Sequence, residues 1–181
     1  MKIIGITQRE DFIESYDEIR DGVDRKLPEL IIHCGFLPIV IPTINLDYIE
    51  KVLSKIKFDG IILSGGNSIH NFGKRNEYTS KIRDEFELNL IKEAIKRNIK
   101  IFGICRGMQI LNLFFKGNLS LVEGHVNVKH SLKSLDKKFT FPKKVNSYHN
   151  FSVSQKDLPS TIEPLAIDKD KNIESFKYKD N

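Results

Sequence analysis

Cysteine is scarce in this sequence, and long apolar runs are missing. Cys34 and Cys105 are its only two cysteines. That is too few for a disulfide framework and argues for a reducing cytoplasm. No apolar stretch is long enough to span a membrane. The opening MKIIGITQRE lacks a small-residue cleavage site and turns polar after six residues, so it does not read as a signal peptide. Repeats, low-complexity tracts and linkers are missing too. The 181 residues, 40% of them apolar, therefore read as a single domain, 1–181, with a full core. The net charge is +5 and the pI is near 9.1. Lysines and acids are nevertheless interspersed, and no helix carries a one-sided basic stripe. Neither a nucleic-acid partner nor a membrane is expected, although a mild positive field helps an anionic substrate arrive.

What is present is an alternation of buried strands and amphipathic helices. Strands are predicted over 2–7, 37–42, 58–66 and 99–104. Helices are predicted over 17–35, 46–56, 79–98 and 108–115. The clearest helix repeats Ile82, Phe86, Leu90 and Ala94 at i+4 steps. In the segment 17–35, Ile19, Val23, Leu27, Leu30 and Ile31 stand near helical spacing. Pro28 predicts a kink there, and Gly35 a stop. Continuous apolar strands alternating with helices imply an α/β fold: a mostly parallel twisted sheet with helices on both faces. After residue 116 the pattern weakens into short strands, read as a small antiparallel extension in the C-terminal third.

One stretch carries chemistry. In IFGICRGMQI, residues 101–110, Cys105 lies between Gly103 and Gly107 where a strand turns into a helix. Such a turn strains the backbone of its central residue, and small residues two before and two after avoid clashes; this is the G-x-S-x-G elbow with sulfur in place of oxygen. A helix N-terminus favours a thiolate. The N–H of Arg106 is a candidate oxyanion donor. Cys34, late in a helix, reads as packing. Gly65-Gly66 ends another strand, and sites in such folds lie at the strand carboxyl ends.

The motif IFGICRGMQILNLFFKG resembles the class I glutamine amidotransferases, and within them a γ-glutamyl hydrolase branch, peptidase family C26. IIGIT, CGFLPIVIP, FDGIILSGG, IRDEFE, VNSYHNFSV and IESF agree with this, so the resemblance covers almost the whole chain. It implies a flavodoxin-like fold and no cofactor. It further implies that Cys105 attacks a γ-glutamyl amide and forms a γ-glutamyl thioester. The backbone of Gly66, with Gly65, and that of Arg106 would hold the oxyanion. Gln109 would face the glutamyl end of the substrate. Ser147, Tyr148 and His149 would form a loop receiving the glutamyl α-amino and α-carboxylate groups. Gln109 reads alternatively as an ordinary polar helix residue, and His149 as a loop histidine with a structural hydrogen bond.

The family's base and its orienting carboxylate lie in a His-Pro-Glu segment after the IESF region. No such triplet occurs before Asn181; the expectation is that the protein continues beyond this residue, the alternative being a degenerate, non-catalytic binding homologue. His70, His125, His130 and His149 stay open as other bases, since a base needs hydrogen-bond reach of the thiol. Glu123, His125 and His130 match no strong metal motif, so no metal is expected. The expected partner is a small γ-glutamyl substrate; a γ-glutamyl-γ-aminobutyrate-type hydrolase and a glutaminase subunit feeding ammonia to a synthase stay open as other readings. LSGGNSIH, VNSYHNFS and the short length look like a bacterial branch acting on a nucleotide-linked γ-glutamyl amide. Lys74, Arg75, Lys129, Lys143 and Lys144 would then meet phosphates; otherwise they are solvated surface lysines and arginine. The oligomeric state is open, and a homodimer is compatible with the sequence.

Overall fold

The computed structural model describes residues 1–73 and 79–179. Lys74 and Arg75 lie outside the described residues. The chain divides into two compact units, Met1–Leu111 and Asn112–Asn181.

The first unit begins with strand β1 (Ile3–Thr7), followed by a hairpin of β2 (Arg9–Ile13) and β3 (Glu18–Gly22). Then come α1 (Lys26–His33), β4 (Leu37–Ile41), α2 (Ile49–Lys55), β5 (Gly60–Leu63), α3 (Lys81–Lys96), β6 (Lys100–Gly103) and α4 (Arg106–Phe114). Strands β4, β1, β5 and β6 form one sheet in that order, and every pairing is parallel. The chain steps from β1 to one side, then returns past it to β5 and β6. Right-handed crossovers therefore put α1 on one face and α2 with α3 on the other. This is the flavodoxin-like order, with its switch point between β1 and β5. Ile6, Ile61 and Leu63 from the sheet pack in the core with Phe86, Leu90, Ile91 and Ala94 of α3. The 3.6-residue period of α3 is what delivers those side chains to one face.

The segment 17–35 is not one kinked helix. Residues 18–22 pair antiparallel with 9–13, Phe12 opposite Ile19. Asp17 takes a left-handed conformation at φ 48°, which ends the preceding turn and opens β3. Ile19 is thereby exposed rather than part of a helical stripe. Pro28 falls in the first turn of α1, where its missing N–H has no intrahelical acceptor to lose. The stop at Gly35 stands. The Phe36 N–H reaches Ile31 O at 3.1 Å and the Gly35 N–H reaches Ile32 O at 2.9 Å, with Gly35 at φ +83°. These two bonds make a Schellman end. Cys34, expected to pack, is exposed as the C-cap residue of α1.

The second unit is antiparallel throughout its named pairings. Its strands are β7 (Ser120–Leu121), β8 (Val126–Ser131), β9 (Lys133–Ser134), β10 (Lys144–Tyr148), β11 (Phe151–Ser154), β12 (Ile162–Ile167) and β13 (Asn172–Tyr178). Five of them form a sheet in the order β7-β11-β13-β12-β9, and β8 and β10 form a ribbon. Leu119, Val153, Ile162, Leu165, Ala166 and Ile173 are its buried apolar residues. No helix among the described residues is long and apolar enough to cross a membrane.

Candidate functional site

Cys105 sits at the junction of β6 and α4 with φ 52°. This left-handed conformation is costly for any residue with a Cβ. The flanking glycines make the turn sterically feasible. A Cβ on Gly103 would lie 2.4 Å from the carbonyl carbon and oxygen of Gly107. A Cβ on Gly107 would lie 2.1 Å from Leu63 O. The turn is closed by Gly107 N–H donating to Ile104 O at 2.9 Å, and by Met108 and Gln109 N–H donating to Cys105 O at 3.0 and 3.1 Å. The side chain of Cys105 is left exposed. Arg106 opens α4, so its own N–H has no acceptor within that helix.

The loop after β5 approaches this turn. A Cβ on Gly65 would stand 3.6 Å from the Cys105 Cβ, an ordinary contact, so the Gly65 backbone lies beside the thiol residue. Gly66 adopts φ +88°, and a Cβ there would come within 2.8 Å of the Arg9 Cβ. Both glycines, Arg106 and the buried Gln109 thus belong to the unit that carries Cys105.

Beneath them runs a buried polar network that the sequence reading missed. The Arg106 guanidinium pairs with Asp84 and with Glu87 Oε2. Arg83 Nε reaches Glu87 Oε1 at 3.2 Å. Arg83 also donates to Ser64 O, Gly65 O and Asn67 Oδ1 at 3.0, 3.1 and 3.0 Å. The Thr7 hydroxyl donates to Glu87 Oε1 at 2.7 Å and accepts the Ser64 N–H at 3.0 Å. Ser80 caps α3 by accepting the Arg83 N–H at 3.0 Å, while its hydroxyl donates to Glu10 at 2.8 Å. Burial, reinforced by the charge of Arg106, pushes Arg83 down to about 10 against the pull of Glu87 and Asp84. Burial likewise raises the Asp84 carboxyl, opposed by the His70 N–H and by Arg106. IRDEFE sets an Arg–Glu pair at i,i+4, a spacing that solvated helix faces share, so the sequence carries no signal that marks the pair as buried.

Ser147, Tyr148 and His149 lie in the second unit, the first two closing β10 rather than lying in a loop. The Ser147 hydroxyl donates to His125 O at 2.6 Å and is buried. The Tyr148 hydroxyl donates to Asn127 Oδ1 at 3.0 Å, with the ring exposed. His149 joins His125, His130 and Glu174; one donor atom from each lies within 4.8 Å of all the others. Burial, then the neighbouring rings of His125 and His130, lower the His149 pKa. Burial raises that of Glu174. Glu123, exposed, is not in this cluster. Lys129, Lys143 and Lys144 are exposed, and the first and last project from one face of the β8–β10 ribbon.

The elbow and the sheet order define a glutamine amidotransferase-type fold. A glutamine amidotransferase of Thermotoga maritima superposes with a TM-score of 0.65 at 15% identity, over 98% of this chain and 71% of that one. The peptidase C26 family model matches residues 2–141. The γ-glutamyl-CDP-amidate hydrolase of Campylobacter jejuni is 31% identical over 180 residues, spanning 97% of this chain and 83% of that protein. The γ-glutamyl-γ-aminobutyrate hydrolase of Escherichia coli O157:H7 is 36% identical over 104 residues, 54% of this chain and 40% of that protein. The chain spans less than half of several further relatives that it matches. This chain belongs to the peptidase C26 family.

Proposed function

We propose that this protein hydrolyses a γ-glutamyl amide through Cys105. The thiolate attacks the γ-carbonyl and forms a C–S bond. The C–N bond breaks, and the leaving nitrogen takes up a proton. Water then cleaves the thioester, releasing glutamate and restoring the thiol. The N–H groups of Gly66 and Arg106, with the Gly65 backbone alongside, donate to the oxyanion. Gln109 faces the glutamyl end. The observation that carries this reading is the exposed, left-handed Cys105 between two glycines that admit no Cβ, with the Gly65 backbone against it.

The substrate we favour is γ-glutamyl-CDP-amidate. The match to the Campylobacter hydrolase runs over nearly the whole chain, whereas that to the γ-aminobutyrate enzyme covers 54% of it. The product would be a cytidine diphosphoramidate made in the cytoplasm for capsule modification.

The test compares kcat/KM for γ-glutamyl-CDP-amidate, γ-glutamyl-γ-aminobutyrate and glutamine. A preference for the nucleotide substrate is expected, with Cys105→Ser lowering turnover by several orders of magnitude. Preference for the γ-aminobutyrate amide would overturn the nucleotide assignment alone. Ammonia release from glutamine only would point to a glutaminase subunit. Full activity in Cys105→Ala would overturn the whole reading.

A further inference from the structure

We propose that His125, His130, His149 and Glu174 form a binding site for a divalent transition-metal ion of the zinc class, within the second unit. The proposal is independent of the reading of Cys105.

The four residues come from separate segments: the turn before β8, β8 itself, the residue after β10, and β13. Their donor atoms nevertheless converge within 4.8 Å. His130 Nε2 stands 3.6 Å from Glu174 Oε1, and His149 Nε2 stands 3.8 Å from the same oxygen. Bonds of about 2.0–2.1 Å to a tetrahedral ion would set neighbouring donors roughly 3.3–3.4 Å apart. Those two edges therefore need to close by only a few tenths of an ångström.

The rings of His125 and His130 each carry a buried nitrogen without a hydrogen-bond partner. His130 Nδ1 lies 3.3 Å from Ser131 O. A carbonyl only accepts, so Nδ1 carries the hydrogen and Nε2 presents a lone pair. That Nε2 is buried and has no hydrogen-bond partner. His125 shows the same arrangement with the nitrogens exchanged. Its Nε2 is 3.5 Å from Asp168 Oδ2, while its Nδ1 is buried without a partner. The His125 side chain is 6% exposed and that of His130 is 7%. Buried imidazole nitrogens without partners are costly.

Asp168 is held rigidly. Its Oδ1 accepts the N–H groups of Asp170 and Asn172 at 2.9 and 2.8 Å, and its Oδ2 accepts Asn172 Nδ2 at 2.8 Å. It serves as an outer carboxylate that orients a ligating histidine, the partner metal-bound imidazoles commonly have. The carbonyl of His125 accepts the Ser147 hydroxyl and the His149 N–H, fixing the turn that carries the ring.

A single cation satisfies this set better than protons do. An imidazolium at any one position would face two other rings. An anionic group is repelled by Glu174. Three imidazoles with one carboxylate suit zinc, nickel, iron or copper, and do not suit magnesium or calcium, which prefer all-oxygen shells. The ion would bridge the β8–β10 ribbon, through His130, to the five-stranded sheet, through Glu174. It would replace a metal-free, proton-sparing cluster with a cross-link.

The experiment uses the full chain carrying Cys34→Ser and Cys105→Ser, so that no ion is held by sulfur. The chelator-treated protein is titrated with ZnCl2 by calorimetry and with CoCl2 by visible absorption. One site per chain is expected, with a tetrahedral cobalt band that lacks thiolate charge transfer. Zinc should raise Tm, and MgCl2 should not. Glu174→Gln and His130→Gln should each weaken zinc binding by about tenfold or more, and Asp170→Asn should leave it unchanged. Should His130→Gln fail to fold, the near-isosteric Glu174→Gln decides alone. Absence of one-site binding overturns the proposal. So does zinc binding that survives Glu174→Gln, or that is lost in Asp170→Asn, which would place the ion on His125, Asp168 and Asp170 instead.

Discussion

Arg106 of α4 and Glu87 of α3 are joined by an ion pair in the interior of the first unit, with Asp84 on the other arm of the same guanidinium. The residue that follows Cys105 is thereby anchored to the helix whose Arg83 holds Ser64 O and Gly65 O. One carboxylate, Glu87, serves both guanidinium groups. The turn at Cys105 and the loop at Gly65 therefore share a single buried support.

Glu87→Ala should accordingly be among the most damaging substitutions in this unit. It leaves the buried Arg83 without its carboxylate and Arg106 with Asp84 alone, and breaking a buried pair by removing one partner costs about 3–5 kcal/mol. Glu87→Gln keeps the shape and two polar atoms and should cost less. Urea unfolding of both variants measures this. A loss below about 1 kcal/mol for Glu87→Ala would mean that the network contributes as little as a surface pair.

The glycines around the elbow should separate sharply. Gly107→Ala drives a Cβ into Leu63 O at 2.1 Å, backbone against backbone, and should cost at least about 1–3 kcal/mol. Gly65→Ala meets only ordinary contacts at 3.6 and 3.7 Å. It should be neutral, or stabilising by up to about 1 kcal/mol through the unfolded chain. Thermal unfolding of the two variants side by side gives the comparison, and equal losses would contradict the steric account.

Strain at Cys105 has its own signature. Its φ of 52° costs a residue with a Cβ roughly 1–2 kcal/mol. Cys105→Gly should therefore be more stable than Cys105→Ala by about 1 kcal/mol, after allowing for the larger entropy glycine loses on folding. Both should be inactive. A less stable glycine variant would show that the turn is not strained.

Asp157 supplies a pH-dependent contribution in the second unit. Burial alone would raise its carboxyl, but hydrogen bonds from the Ser120 hydroxyl and from Ser154 prevail and hold it below the ordinary value. The group is thus more acidic folded than unfolded. Its stabilisation is complete above the unfolded pKa of about 3.9 and is lost as pH falls through the lower folded value. Asp157 also closes a capping box with Ser154. Asp157→Asn should cost about 0.5–2 kcal/mol at pH 7 and progressively less toward pH 3. A difference independent of pH would rule out the carboxylate as its source.

His149 titrates in the opposite sense to a stabilised histidine. Burial and the adjacent rings lower its pKa, so the unfolded chain takes up the proton first. Stability of the metal-free second unit should fall as pH drops below about 6.5. His149→Gln should flatten that dependence in a pH series of urea melts. An unchanged slope would show that His149 does not titrate against the fold.

The elbow was legible in the sequence because much of its signature is local. Two glycines, a strand and a helix fall within ten residues, and Gly103 meets the backbone of Gly107 itself, as the Schellman end at Gly35 closes on α1; the close approach of Leu63 O to Gly107 came only with the fold. The parallel sheet followed from the alternation of apolar runs, since βαβ crossovers admit one handedness. The hairpin at 9–22 escaped because Ile19 and Val23 stand near helical spacing by coincidence. Pairing with 9–13 and the left-handed Asp17 overrode that period. The charges of IRDEFE could not be told from a solvated helix face, because only packing against β5 and α4 buries them. His125, His130, His149 and Glu174 are spread over fifty residues with no ligand spacing. Pairing of β8 with β10 and the approach of that ribbon to β13 bring them together, through contacts set far along the chain, which local patterning cannot encode.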